Sequence, residues 1–269
     1  MKNLILGLVF FSSFSCYSII GGEKTSGVTG IYQLSVYNLI ATQGKYSTSR
    51  VANRSLGTGF FVAPNIMITA AHVVHDLASG KKRFLEIRNG NETLSFQRGS
   101  LKIKIPETFL PGGLSNCEGD FSIVTFPQNI AQSWFSFSSN INEAERLEVL
   151  GFGTSSFSWF EKVKNMFLYE RSLFRGYNYL DPVYLDKDFC EEIECVDEAY
   201  TLRVGAPKEV VSINSAYHWK GDSGSPVLQG GKVVGIACAI SYTHSKTHNY
   251  SYFVNLTHFA PSSFIHLNI

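Results

Sequence analysis

The sequence predicts an all-β protein, because short strand-like segments recur along most of its 269 residues and few segments have a helical pattern. Runs rich in β-branched and aromatic residues alternate with turn residues, which favours a barrel or a sandwich. With 44% hydrophobic residues, the chain can bury a large core. The predicted strands are Tyr32–Ile40, Gly59–Val62, Phe84–Ile87, Leu101–Ile105, Phe121–Phe126, Leu147–Leu150, Thr201–Val204, Val210–Ile213, Val233–Ala239 and Tyr252–Leu256.

Turn residues separate these strands. Asn89-Gly90 follows one predicted strand, and Gly230-Gly231 lies between two apolar runs, as expected for a β-hairpin. Pro261 predicts the start of a short C-terminal helix, because the φ angle of proline suits the first helical turn.

The first 18 residues are expected to form a signal peptide. Lys2 supplies a positive charge, and Leu4–Phe14 is an apolar stretch too short to span a bilayer as a helix. Cleavage before Ile19 would leave a mature domain of residues 19–269, without a transmembrane segment. Cleavage before Cys16 would instead make that cysteine the N-terminal residue, to which a lipid anchor could be attached. We therefore expect a secreted or periplasmic protein.

Composition argues against two other kinds of site. The net charge is +1 and only 17% of residues are charged, which does not favour a nucleic-acid surface. The basic run Lys81-Lys82-Arg83 is interpreted as a solvated loop. His244 and His248 are four residues apart, but no cysteine or carboxylate stands near them in a ligand pattern, so we expect no metal and no cofactor.

The segment Gly221-Asp222-Ser223-Gly224 is typical of an acyl-transfer nucleophile. Glycines beside the serine let a substrate carbonyl approach, and they leave backbone N–H groups free to face the oxyanion that forms on attack. A serine needs a base, and histidine is the usual one near neutral pH. Thr69-Ala70-Ala71-His72 supplies the candidate.

The histidine in turn requires a buried carboxylate that fixes its tautomer and stabilises its cation. Asp120 is the candidate, because it opens the apolar, β-branched run Phe121–Phe126. Asp76 is the main alternative, but it is expected on the short helix after His72, facing water.

These motifs resemble the trypsin-like (chymotrypsin-fold) serine proteases. Besides His72, Asp120 and Ser223, the similarity includes Gly57-Thr58-Gly59, Gly151-Phe152-Gly153 and Val233–Ile236. The resemblance implies two packed antiparallel β-barrels and hydrolysis of protein or peptide substrates, with the N–H groups of Gly221 and Ser223 as oxyanion donors. A catalytically inactive binding protein on the same fold is the alternative.

The resemblance also implies an activation terminus. Ile19-Ile20-Gly21-Gly22 is similar to the segment whose freed amine pairs with the aspartate before the nucleophile, which is Asp222 here. A buried carboxylate needs such a partner. The other interpretation is that these residues merely end the apolar leader.

The expected specificity pocket contains Tyr217, Ala239 and Ile240. Tyr217 stands six residues before Ser223, where Arg/Lys-cleaving relatives have an aspartate, so the resemblance implies poor cleavage after basic residues. Cys238 occupies a position that is usually serine in this family.

Four cysteines follow the leader: Cys117, Cys190, Cys195 and Cys238. Cys190 and Cys195 are close enough in sequence to pair. The resemblance implies that Cys117 and Cys238 both border the substrate cleft, where they either pair or remain buried thiols. Residues 155–200 form an aromatic-rich insertion, which is interpreted either as a loop packed on the barrel surface or as a substrate-facing exosite.

Overall fold

The computed structural model of the chain describes residues 22–40, 50–111, 119–142, 144–153, 172–178, 201–206, 221–242 and 249–257. The signal peptide expected at 1–18, the strand predicted at Val210–Ile213 and the helix predicted from Pro261 lie outside the described residues. No helix within these ranges is long and apolar enough to cross a membrane.

The described residues are mostly β-structure, with a single α-helix, α1 (Ala71–Ala78). The strands are β1 (Glu23–Lys24), β2 (Ile31–Ile40), β3 (Arg50–Ala63), β4 (Ile66–Thr69), β5 (Phe84–Asn89), β6 (Glu92–Gln97), β7 (Lys102–Lys104), β8 (Ser122–Thr125), β9 (Leu147–Gly151), β10 (Phe174–Asn178), β11 (Thr201–Ala206), β12 (Pro226–Gln229), β13 (Lys232–Tyr242) and β14 (Asn249–Asn255).

The strands form two curled antiparallel sheets of seven strands each. The N-terminal sheet has the order β6-β5-β2-β3-β4-β8-β7, and the other has the order β1-β10-β9-β12-β13-β14-β11. Neighbouring strands along the chain are therefore often neighbours in a sheet. The prediction of an all-β fold with two antiparallel halves is confirmed.

The N-terminal sheet closes around an apolar core of its own. Leu34 and Val36 of β2 face this core, and the intervening Ser35, on the other face of the strand, is buried as well. Phe61 packs against Phe126 with ring centroids 5.5 Å apart. Leu77 and the rest of the apolar face of α1 cover this core, so the helix is fixed to the sheet.

The second sheet contains the predicted hairpin between β12 and β13. Gln229 pairs with Lys232, and the two intervening residues, Gly230 and Gly231, have φ angles of 56° and 76°. Positive φ at both positions is the requirement of a tight two-residue hairpin turn, and glycine meets it at little steric cost.

A further apolar cluster joins the two sheets. It contains Phe60 and Ile68 from the N-terminal sheet with Leu150, Ile236 and Val254 from the second sheet. The sheets therefore pack face against face, and the polar residues at the edge of this cluster lie between them.

The interpretation of Lys81-Lys82-Arg83 as a solvated loop is wrong for Lys82. This side chain is buried, and its ammonium contacts the hydroxyl of Ser55 and lies 3.3 Å from a carboxylate oxygen of Asp76. A buried ammonium is stable only with such partners. The run is therefore partly structural and joins the end of α1 to strand β3.

Candidate active site

His72 stands in the first turn of α1, directly after the buried strand β4. The flanking Ala71 and Val73 are buried, while 42% of the His72 side chain is exposed. The apolar neighbours therefore fix the helix on the core and leave the imidazole at the surface. At the other end of α1, the Arg98 guanidinium donates to the carbonyls of Leu77 and Ala78, at 2.9 and 3.3 Å.

Asp120 bonds His72 at two points. Its Oδ2 lies 2.7 Å from Nδ1 of the imidazole, and its Oδ1 accepts the backbone N–H of His72 at 2.9 Å. That N–H is one of the first four of a helix, which have no partner inside it. The carboxylate therefore holds both the helix start and the ring, and it leaves Nε2 free for proton transfer.

The backbone before β8 brings Asp120 to this position. Gly119 has a φ of 72°, and a side chain there would overlap the hydroxyl of Thr108. Asp120 itself is only 6% exposed. The alternative carboxylate, Asp76, pairs with Lys82 instead.

Ser223 lies in a turn bounded by two glycines with positive φ, 101° at Gly221 and 89° at Gly224. The hydroxyl and the N–H of Thr58 hold this turn from strand β3: they donate to the carbonyls of Gly221, at 3.0 Å, and Ser223, at 2.9 Å. On the other side, the N–H of Gly224 donates to the carbonyl of Ala237 at 2.7 Å. The turn is therefore bonded to both sheets.

Close backbone contacts hold the Ser223 turn beside the start of α1, where His72 lies. A methyl group on Gly57 would lie 3.0 Å from the Ser223 carbonyl oxygen and 2.7 Å from both methyl carbons of Val73. A methyl group on Gly224 would overlap the Thr69 hydroxyl and lie 2.9 Å from the backbone N atom of Ala70. The serine turn and the start of α1 are thus in direct contact.

Asp222 points away from the surface into the protein. It is fully buried, and its Oδ1 accepts the N–H of Gly153 at 2.7 Å, one of its interactions. A methyl group on Gly151 or Gly153 would overlap the carboxylate. These glycines therefore provide the space that the aspartate occupies. Ile19, its expected partner, lies outside the described residues.

The N–H groups of Gly221 and Ser223 donate to no other residue in the described part of the chain. They flank Asp222 on the same turn as the Ser223 hydroxyl. Such paired N–H groups can bind an oxyanion that develops next to the nucleophile.

No family model matches the chain, and no curated protein matches it in sequence. Solved structures match it along nearly its whole length. The scabies mite inactivated protease paralogue S-D1 is 17% identical, has a TM-score of 0.62, and matches over 93% of this chain and 99% of its own. Neuropsin, a serine protease of the limbic system of mouse brain, is 14% identical, with a TM-score of 0.61 and coverage of 93% and 100%. GrC is 15% identical, with a TM-score of 0.60 and coverage of 92% and 97%.

The chain has the chymotrypsin fold. Proteins of similar structure differ in activity: neuropsin is described as a serine protease, and the scabies mite protein S-D1 is described as an inactivated protease paralogue. The fold therefore does not decide the chemistry, which depends on the residues of this chain.

The expected pocket residues lie at the edge of what the structure describes. Ala239 and Ile240 are on β13, opposite Tyr252 and Ser251 of β14, and Tyr217 lies outside the described residues. Within the described ranges, no group of three His, Cys, Asp or Glu side chains could hold a metal ion.

Cys238 is disulfide-bonded and buried. The alternative of a reduced, buried thiol is therefore wrong for this residue. It lies at a break in the β13–β14 register between Ala237 and Ala239, next to the residue that bonds the serine turn. Cys117, Cys190 and Cys195 lie outside the described residues.

Sequence reasoning missed the role of Thr58. Its buried hydroxyl donates to Gly221 and accepts the N–H of Phe152 at 3.0 Å, so one side chain joins three segments of the chymotrypsin fold. The local signal was present, since Thr58 is a polar residue between two glycines, directly before the apolar run 60–62.

Within the insertion at 155–200, the structure describes residues 172–178. Phe174 is buried against the core of the second sheet, and Tyr177 lies under the Arg146 guanidinium, 3.8 Å from the ring centroid. These two aromatic residues pack on the protein itself, in agreement with the first interpretation of this segment.

Proposed function

We propose that the chain is an exported serine endopeptidase that hydrolyses peptide bonds through an acyl-enzyme. The bidentate contact of Asp120 with His72, beside the Ser223 turn, carries this proposal. A histidine held at Nδ1 by a buried carboxylate has its Nε2 free to act as a base, and a serine between glycines is accessible to a substrate.

In the proposed reaction, the Ser223 Oγ attacks the peptide carbonyl carbon while His72 takes the hydroxyl proton. The N–H groups of Gly221 and Ser223 donate to the resulting oxyanion. His72 then gives its proton to the leaving amine as the C–N bond breaks. Water hydrolyses the acyl-enzyme by the same route, and Asp120 stabilises the imidazolium without accepting a proton.

The proposed substrates are proteins or peptides without a basic residue before the cleaved bond. Tyr217 is neutral and bulky at the expected base of the pocket, and Ile240 is a branched residue at its expected entrance. A substrate cation without a carboxylate partner would be strongly disfavoured. A peptide-library profile dominated by cleavage after Arg or Lys would overturn this specificity and leave the triad untouched.

The proposed mature form begins at Ile19, after removal of residues 1–18, and its amine pairs with Asp222. Complete burial of the Asp222 carboxylate supports this, because an ammonium group stabilises a carboxylate in a buried place. N-terminal sequencing of active protein is the test. An active species that retains Tyr17-Ser18, or an Asp222→Asn variant with full activity, would contradict it.

A binding protein without catalysis is the second candidate. An inactivated protease paralogue is among the similar structures, and Cys238 replaces a serine whose hydroxyl supports the aspartate in the family. A thiol is a weaker donor than a hydroxyl, and a disulfide sulfur cannot donate.

A fluorophosphonate probe, together with a peptide-hydrolysis assay, separates the two candidates. We expect labelling at Ser223, loss of both labelling and hydrolysis in Ser223→Ala, and normal labelling in the exposed-serine control Ser95→Ala. Removing a triad serine costs many powers of ten in rate. A folded wild-type protein that neither reacts nor hydrolyses would support the binding protein instead.

A further inference from the structure

Ser225 carries a buried hydroxyl that the proposed reaction does not use. The residue is fully buried, and its Oγ has no hydrogen-bond partner in the described part of the chain. Its backbone is bonded on both sides: the N–H donates to the carbonyl of Asp222 at 2.8 Å, and the carbonyl accepts the N–H of Ala237 at 2.9 Å. A buried hydroxyl without a partner is costly, so a nearby hydrogen-bond acceptor is expected.

The Asp222 carboxylate lies beside this hydroxyl. A methyl group built on Gly151 would overlap both Asp222 Oδ1 and Ser225 Oγ, so the two oxygens flank the same point of the chain. Asp222 Oδ1 already accepts the N–H of Gly153, and a carboxylate oxygen can accept more than one hydrogen bond. The Ser225 hydroxyl therefore has a carboxylate oxygen close by that can accept its hydrogen bond.

We propose that Ser225 is a positioning residue that donates a hydrogen bond to the Asp222 carboxylate. Asp222 stands between Gly221 and Ser223, the two residues whose N–H groups are the proposed oxyanion donors. A carboxylate held by the Gly153 N–H and the Ser225 hydroxyl keeps both peptide groups in one orientation. The effect on catalysis rests on the proposed function, whereas the hydrogen bond itself does not.

The alternative is that the Ser225 hydroxyl donates no hydrogen bond. Removal of an unpaired buried polar group then relieves a desolvation cost and stabilises the protein. Ser35 provides a matched control, because it is also a buried serine whose Oγ has no partner among the described residues, and it lies on β2, outside the Ser223 turn.

The experiment compares Ser225→Ala with Ser35→Ala by thermal denaturation, steady-state kinetics on a peptide substrate and titration of active sites. We expect Ser225→Ala to lower Tm and to lower kcat about tenfold with KM nearly unchanged, since a hydrogen bond to a charged group is lost. Ser35→Ala should keep kcat and keep or raise Tm. A Ser225→Ala variant with a higher Tm, or with unchanged kcat, would overturn the proposal.

An Asp222→Asn background identifies the acceptor. If Ser225 donates to the carboxylate, the Tm loss caused by Ser225→Ala should shrink in that background, because the two effects are coupled. Additive losses would mean that Asp222 is not the acceptor and would overturn the proposal. A wild-type protein that is inert towards the probe would contradict the proposed function, while the Tm comparison would still decide the hydrogen bond.

Discussion

The hydroxyl of Thr58 donates to the carbonyl of Gly221 over 3.0 Å, between two residues 163 positions apart in the chain. The same oxygen accepts the N–H of Phe152. One side chain therefore fixes the Ser223 turn, strand β3 and the Gly151–Gly153 turn relative to one another.

Thr58→Val should destabilise the protein and slow the proposed reaction. Valine keeps the shape but leaves the Gly221 carbonyl and the Phe152 N–H unpaired in a buried place, at a cost of about 1–3 kcal/mol. Chemical denaturation measures this loss. Thr58→Ser keeps the hydroxyl, so it should retain more stability than Thr58→Val; the reverse order would show that the methyl group matters more than the bond.

Asp120→Asn should lower kcat about 10⁴-fold if the chain is a serine protease, because an amide favours the wrong tautomer of His72. Asp76→Asn is the matched control. Asp76 pairs with Lys82 and not with His72, so this change should affect stability more than kcat. Equal losses of kcat in the two variants would remove Asp120 from the proposed triad.

Local patterns were sufficient to predict most strands and the chemistry-bearing motifs. The strand β2 was predicted almost to the residue, because apolar residues alternate with polar ones from Tyr32 to Val36, although the structure buries the polar Gln33 and Ser35 as well. Strand β6 was missed, since only Leu94 and Phe96 are partly buried in an otherwise exposed run. Strand β10 was missed in the aromatic insertion, because its pairing with β9 depends on residues 23 to 31 positions away along the chain.

Long-range polar contacts could not be predicted in the same way. The burial of Lys82 depends on Ser55, 27 residues earlier, and the role of Thr58 depends on Gly221. Neither partner leaves a trace in the local pattern of charge or hydrophobicity. The glycines of Gly151-Phe152-Gly153 were recognised by resemblance alone, and the buried Asp222 carboxylate that they accommodate gives the physical reason for them.

Gly153→Ala should destabilise the protein and reduce peptide hydrolysis. A methyl group there overlaps the Asp222 carboxylate, which has no free space because it is fully buried. The Ser223 turn must then shift, and the oxyanion donors shift with it. Gly99→Ala is the control, since a methyl group on Gly99 meets no atom within 4 Å. Similar Tm and kcat for both variants would contradict this account of Asp222.

The free energy of unfolding should fall at alkaline pH because of Tyr32. Burial, and secondly the charge of Glu92, raises the pKa of Tyr32 above its ordinary value of 10.0. Its contribution is therefore complete below pH 10 and is lost as the pH rises towards the folded-state pKa. Tyr32→Phe should make stability less dependent on pH in this range, as measured by urea denaturation. An unchanged slope would contradict the assignment, and Glu92→Gln should reproduce only a small part of the effect.

A dithiol reductant should destabilise the protein, because Cys238 is disulfide-bonded. Dithiothreitol reduces the bond to two thiols and is itself oxidised to a cyclic disulfide. Because Cys238 adjoins Ala237, which bonds both Gly224 and Ser225, the loosened strand should lower both Tm and the labelling rate of Ser223. A native disulfide contributes about 2–4 kcal/mol in typical cases.

Cys238→Ser separates this bond from any other disulfide in the chain. The variant should start from a lower Tm than the wild type, and the reductant should lower its Tm less. Peptide mapping of the oxidised protein identifies whether Cys117, Cys190 or Cys195 is the partner. Loss of a cross-link is expected to lower stability, because the cross-link restrains the unfolded chain. If the reductant leaves the wild-type Tm unchanged, with complete reduction verified by mass, the Cys238 disulfide does not stabilise the protein or its Ser223 turn.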